Sequence, residues 1–202
     1  MPGTSASTPK ILRHVAAFLC AAIVGHFAVR LVFGGSQHLP TDILSRPWTS
    51  TKLGIHGFQL DAPWKLESVS MPFPAWLAGK LRDPDVHYGH IEDAGGVMAS
   101  RYPFSRGVPV DLDGAANGMV EQMGKTPGTR RIESRQRETT LFGERAIEVT
   151  SRIEREKGAP LRAVGIVAFV GGDLVQVSVM TFEDEPRAEA VWRRVRDSIR
   201  EG

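Results

Sequence analysis

The densest set of metal-ligand types in this chain is His87, His90, Glu92 and Asp93. On a strand, residues three apart point to opposite faces, so His87 and His90 could share a metal only across a bulge. Ordinary strand-surface histidines are the simpler reading, and no metal site is assigned. Asp111-Leu112-Asp113-Gly114 has the start of a calcium loop but lacks its third acidic position and terminal glutamate. Helix capping by Asp111 explains it better. No Gly-x-Ser-x-Gly elbow, phosphate loop or dinucleotide fingerprint occurs. Nothing singles out one pair of carboxylates for acid–base work. The expectation is a protein without catalytic residues and without a cofactor.

Two segments remain as candidate binding surfaces. Arg130, Arg131, Arg135 and Arg137 form a basic run, but no aromatic side chains stand nearby to stack on bases. A solvated strand guarding a sheet edge accounts for the run, and nucleic acid is not expected as a partner. Residues 71–77 read MPFPAWL and concentrate apolar bulk between two expected elements, where connections are normally exposed. They either form a lid over a sheet edge or dock a protein partner or the nearby bilayer through Phe73, Trp76 and Leu77.

The elements that must position these residues follow one long apolar run. Residues 11–33, ILRHVAAFLCAAIVGHFAVRLVF, would span about 34 Å as a helix, enough for a hydrocarbon core of about 30 Å. Arg13 and Arg30 can snorkel toward opposite headgroup layers. Three readings compete: an uncleaved anchor, a cleaved signal and a buried core helix. The His26-Phe27-Ala28 triplet puts a bulky residue where a signal cleavage site wants a small one, which favours the anchor. The expected organisation is a tail over residues 1–10, an anchor or signal-anchor over 11–33, a linker over 34–53 and a domain over 54–202. The expected location is the inner membrane, crossed once, with the domain in the periplasm. Cys20 is the sole cysteine and lies in the apolar run, so a disulfide framework or a CxxC zinc site is excluded. With a net charge of +2, the chain carries no general electrostatic preference for a polyanion.

Within the domain, strands are expected over residues 55–60, 65–69, 86–92, 97–102, 131–140, 146–155, 161–170 and 173–182. Asp93-Ala94-Gly95-Gly96 is read as a hairpin turn whose glycines take positive φ. In the seventh segment apolar residues occupy both faces, marking a central strand. Leu112, Ala116, Met119, Val120 and Met123 recur at helical spacing. A last helix starts at Pro186 behind three acidic residues and buries Ala188, Val191, Trp192, Val195 and Ile199.

This order resembles a known family. Phe58 and Leu60 run into the Pro63-Trp64 turn; a hairpin, a helix and long antiparallel strands follow; and Trp192, Val195 and Ser198-Ile199 match its recurrent ending. The chain is similar to the PsbP-like αβα sandwich, named for the photosystem II extrinsic protein and shared with a Ran-binding import factor and bacterial envelope proteins. The resemblance covers about residues 54–200 and rests on packing positions. It implies an α+β fold, a mostly antiparallel sheet with flanking helices, in a bacterial membrane-anchored member. It further implies a binding or assembly module.

Overall fold

The computed structural model describes residues 38–54, 57–70, 79–91, 94–105, 108, 110–125 and 128–202. The apolar run at 11–33 and the 71–77 segment with Phe73, Trp76 and Leu77 lie outside them. No helix among the described residues is long and apolar enough to cross a membrane.

Among the described residues ten strands and two helices follow in order: β1 (Thr49–Leu53), β2 (Phe58–Ala62), β3 (Glu67–Ser68), β4 (Asp85–Ile91), β5 (Gly95–Pro103), α1 (Leu112–Lys125), β6 (Thr129–Leu141), β7 (Glu144–Arg155), β8 (Leu161–Val170), β9 (Asp173–Phe182), α2 (Ala188–Asp197) and β10 (Arg200–Glu201). The main sheet has the order β3-β4-β5-β9-β8-β7-β6, and a small sheet has the order β1-β2-β10. Every pairing is antiparallel. The fold is therefore α+β, as read from the strand pattern.

Strand alternation sends side chains to two separate cores. On one face Val86, Tyr88, Met98, Tyr102, Ile147, Val149, Ile153, Leu161 and Met180 pack beneath α1 residues Leu112, Ala115, Ala116, Met119 and Met123. On the other, Val97, Ala99, Val164, Ile166, Val175, Val177 and Val179 meet α2 residues Val191, Trp192 and Val195 and the small-sheet residues Leu53, Phe58 and Leu60. Alpha helix, sheet, then helix with small sheet make three layers. Strand β8 is apolar on both sides because both sides are covered. Strand β6 is the sheet edge, and its side chains are mostly exposed. In β7, Ile147, Val149, Ser151 and Ile153 are buried, while the alternate positions are partly exposed.

Three local expectations shift. Gly95 and Gly96 lie inside β5, paired with Thr181 and Met180, so the turn precedes them. A Cβ on Gly95 would stand 2.8 Å from the Met180 carbonyl oxygen, so close strand approach, and not positive φ, demands that glycine. The Gly171-Gly172 turn does take positive φ, 58° and 93°, as a tight hairpin between twisted strands needs. The last helix begins at Ala188 and leaves Pro186 in the preceding turn. Two of its three acidic forerunners do separate work: Glu183 accepts from Arg152 at 2.7 Å, and Glu185 is buried.

The stretch expected as a linker is, from Leu39 onward, packed against the domain. Leu39 and Ile43 are buried in the α2-side core, and residues 49–53 form β1 in register with β2. The Glu185 carboxylate, with no exposed surface, accepts the Leu39 N–H at 2.6 Å and the Arg187 N–H at 2.9 Å. Arg187 returns a bond to the Leu39 carbonyl at 3.0 Å. Glycine and proline punctuation signals loops, but it does not reveal whether a loop is docked.

At the C-terminal end, Arg200 forks onto Asp61 with bonds of 3.1 and 3.3 Å and ties β10 to β2. Partial burial pushes the Asp61 carboxyl up. Hydrogen bonds from Arg200 and Ser50 outweigh that and hold it below the usual carboxylate range. A depressed native pKa contributes stability above the unfolded-state value of about 3.9, and the contribution is lost as pH falls through the native value. Asp61→Asn is expected to lower the melting temperature near neutral pH, and its gap from the parent protein to close below about pH 4. A gap that persists in acid would assign the effect to packing. Trp192, 3% exposed among α2-side core residues, is the largest apolar surface on α2. Trp192→Ala should cost about 3–5 kcal/mol in urea denaturation.

Candidate functional site

At the end of the main sheet where β4, β5 and β9 meet the small sheet, charged residues stand in positions that belong to the apolar pattern. On β5, Val97 and Ala99 enter the α2-side core, and Arg101 is next in the same alternation. Across the ladder, Arg101 stands opposite Asp85 of β4 and Val175 of β9. Its Nε donates to Asp173 Oδ2 at 2.6 Å, and its Nη2 lies 2.5 Å from the same oxygen. Both side chains are mostly buried, at 18% and 14% exposure. Asp85 divides its two oxygens: Oδ2 accepts the Gly54 N–H at 2.9 Å, and Oδ1 lies 2.8 Å from His87 Nε2. The other ring nitrogen of His87 is buried without a hydrogen-bond partner.

The small sheet wraps over this arginine because of its glycines. Gly54 sits at φ 71°, and a Cβ there would fall 2.5 Å from Arg101 Nη1. A Cβ on Gly57 would fall 3.2 Å from Arg101 Cδ and collide with the Leu53 carbonyl. Two hairpin turns close the same region. Phe142 and Gly143 carry φ 53° and 80°, the pair of positive values a two-residue hairpin loop needs. Phenylalanine in that conformation is strained by about 1–2 kcal/mol. The turn is held by packing, since Phe142 lies against the α2-side core.

Between these parts is a cleft of about 280 Å³, lined among others by Phe58, Arg101, Phe142, Asp173, Val175 and Glu201. Its wall combines aromatic faces with one arginine and two carboxylates, and among the described residues it includes no serine, cysteine, histidine or lysine. Such a wall can orient a small polar group or a backbone segment. Its described residues do not form a nucleophile–base pair.

The residues singled out from sequence do not converge here. His87 and His90 occupy opposite faces of β4: His87 joins Asp85, and His90 stacks on Tyr88 with ring centroids 5.5 Å apart. Glu92 and Asp93 lie outside the described residues. Asp113 forks with Arg145 at 3.0 and 3.1 Å, and that arginine holds its carboxyl below the usual range. Among the described residues no group of three potential ligands could hold a metal ion. In the basic run, Arg131 pairs with Glu133 and Arg137 with Glu148. Sequence reading missed Arg101 and Asp173, although a charge in phase with Val97 and Ala99 is a legible signal of a buried, partnered cation.

Asp173→Asn leaves a mostly buried guanidinium short of its carboxylate. It is expected to cost about 1–3 kcal/mol in equilibrium unfolding. The double change with Arg101→Met should recover part of that loss, because the stranded charge is then gone. No recovery would mean that the pair is not coupled.

No family model matches the chain, and no curated protein matches it. Among solved structures, it is similar to cyanobacterial PsbP (CyanoP) from Synechocystis, with a TM-score of 0.55 at 12% identity over 77% of this chain and 92% of that one. A Mog1 variant aligns with a TM-score of 0.46 at 11% identity over 77% and 96%, respectively. LpqN of Mycobacterium tuberculosis, described as involved in cell envelope biogenesis, aligns with a TM-score of 0.40 at 11% identity over 80% and 86%. The element order, the three layers and the alignment over nearly all of the cyanobacterial protein make this a PsbP-like fold.

Proposed function

We propose that the chain is a membrane-anchored, non-catalytic envelope protein whose PsbP-like domain binds a protein partner or helps assemble one. In this reading residues 11–33 cross the inner membrane once and the domain stands in the periplasm. One observation carries the binding role. Strand β3 is two residues long and pairs only with His87 and Tyr88. Among the described residues, the β4 edge from Gly89 to Ile91 therefore has no strand neighbour on that side. The segment that joins β3 to β4 is the one containing Phe73, Trp76 and Leu77. A strand edge without a strand neighbour is what β-strand addition by a partner uses. Two charged groups of the cleft support the non-catalytic part, because Arg101 and Asp173 are already paired with each other.

A second reading rests on the cleft itself: Arg101, Asp173 and Glu201 around aromatic walls would suit a small polar ligand, making the domain a sensor. Two measurements separate the readings. Full-length protein purified in mild detergent is expected to bring a stoichiometric partner, and Phe73→Ala with Trp76→Ala to lose it without a change in melting temperature. Undiminished recovery removes the loop from the proposal. A melting shift with a small-molecule or metal panel, with no partner recovered, favours the sensor.

A further inference from the structure

The α2 side carries a surface whose composition and place in the chain point to a second contact, and the argument rests on the anchor reading above. Residues 39–48 run as a strap along one flank of α2. Glu185 and Arg187 grip it at Leu39, and Arg194 donates to the Leu44 carbonyl two turns further on. Trp48 closes the strap: its indole N–H donates to the Ile43 carbonyl at 2.9 Å, and the Arg194 guanidinium lies 4.1 Å above its ring. Leu39 and Ile43 face inward, but Leu44 faces out. It is the one exposed large apolar side chain among the described residues. Arg193, next to Arg194 on α2, is exposed and has no carboxylate partner among the described residues.

Chain length decides where this shoulder can go. Six Cα steps separate Phe33, the end of the apolar run, from Leu39, which the domain holds fast. Fully extended, they reach at most about 22 Å. The headgroup layer itself occupies about 6 Å of that on each side of the hydrocarbon. The strap is thus confined near the bilayer, while α1 is on the opposite face of the sheet and β6 is four strands from β5. An exposed leucine, a tryptophan with its polar edge bonded and arginines on long stems are the side chains that settle at a lipid interface. We propose that the strap and α2 shoulder, through Leu44, Trp48, Arg193 and Arg194, rest on the headgroups of an anionic leaflet and fix the domain's orientation. The docking edge at β4 is then held at a set angle to the membrane.

The test uses the full chain with Cys20→Ala, so that single cysteines can carry an environment-sensitive fluorophore. One label replaces Leu44, and a control replaces Ser134, exposed on β6. In vesicles of mixed anionic and zwitterionic phospholipid, brominated lipid should quench the label at 44 and spare that at 134. Arg193→Gln is expected to shift the ratio of resting to lifted domains by about fivefold, from about 1 kcal/mol per basic residue near the surface. Equal quenching at both positions overturns the proposal. So does a label at 44 that is shielded from water yet untouched by brominated lipid, which assigns the shoulder to a protein contact. Quenching that is the same in purely zwitterionic vesicles rejects the anionic leaflet. Extraction of the chain from vesicles by alkaline wash would instead remove the anchor, and with it the reading on which this inference depends.

Discussion

The constraint on which the structure depends is the burial of one antiparallel sheet on both faces. In β5, β9 and β8 successive side chains enter opposite cores, and nearly all of them are out of water. A sheet of that kind cannot stand with one face wet, so it requires two coverings. Helix α1 supplies one. The other is composite: α2, the small sheet and the strap from Leu39 share a single apolar cluster. The small sheet exists as part of that lid, and β10 closes it only because α2 delivers the chain back to β2.

Away from the centre the balance changes. The outward faces of strands β6 and β7 carry opposed charges in place of apolar groups. Glu148 lies within reach of both Arg137 and Arg196, and Arg152 bridges Glu154 and Glu183. All members but Glu148 are at least partly exposed, so most of these pairs add little to stability. Their value is in keeping a long edge from pairing with another chain. The β4 edge, by contrast, is short of charge along Gly89 to Ile91 and carries His90 as its only titratable side chain there. Among the described residues the two ends of the sheet are thus built differently, one guarded by charge and one not.

Glu185 and Arg101 are the two buried charges that organise loops, and each does so through backbone. Glu185 gathers the N–H of Leu39 with those of Arg187, so the incoming chain and the start of α2 are set by one carboxylate. Arg101 is clamped by Asp173 beneath glycines that no larger residue could replace without a clash. In both cases desolvation is offset by satisfied hydrogen bonds, the condition for keeping a charge out of water. Both tie together residues more than 70 positions apart, which is why neither was visible as a motif.

Periodicity alone determined a good part of the molecule. Alternation at Ile147, Val149, Ser151 and Ile153, the two-sided apolar run of β8, the Gly171-Gly172 turn and the α2 stripe around Trp192 each describe a local geometry and a burial, and those are properties of neighbouring residues. The family-like order then followed from the sequence of such elements. Tertiary structure decided what depends on distant partners: that residues 39–53 dock, that Gly95 and Gly96 are strand, that Glu185 is buried and that Arg101 meets Asp173. Side-chain spacing reports which face a residue is on; which residue waits on that face is settled only when the sheet assembles.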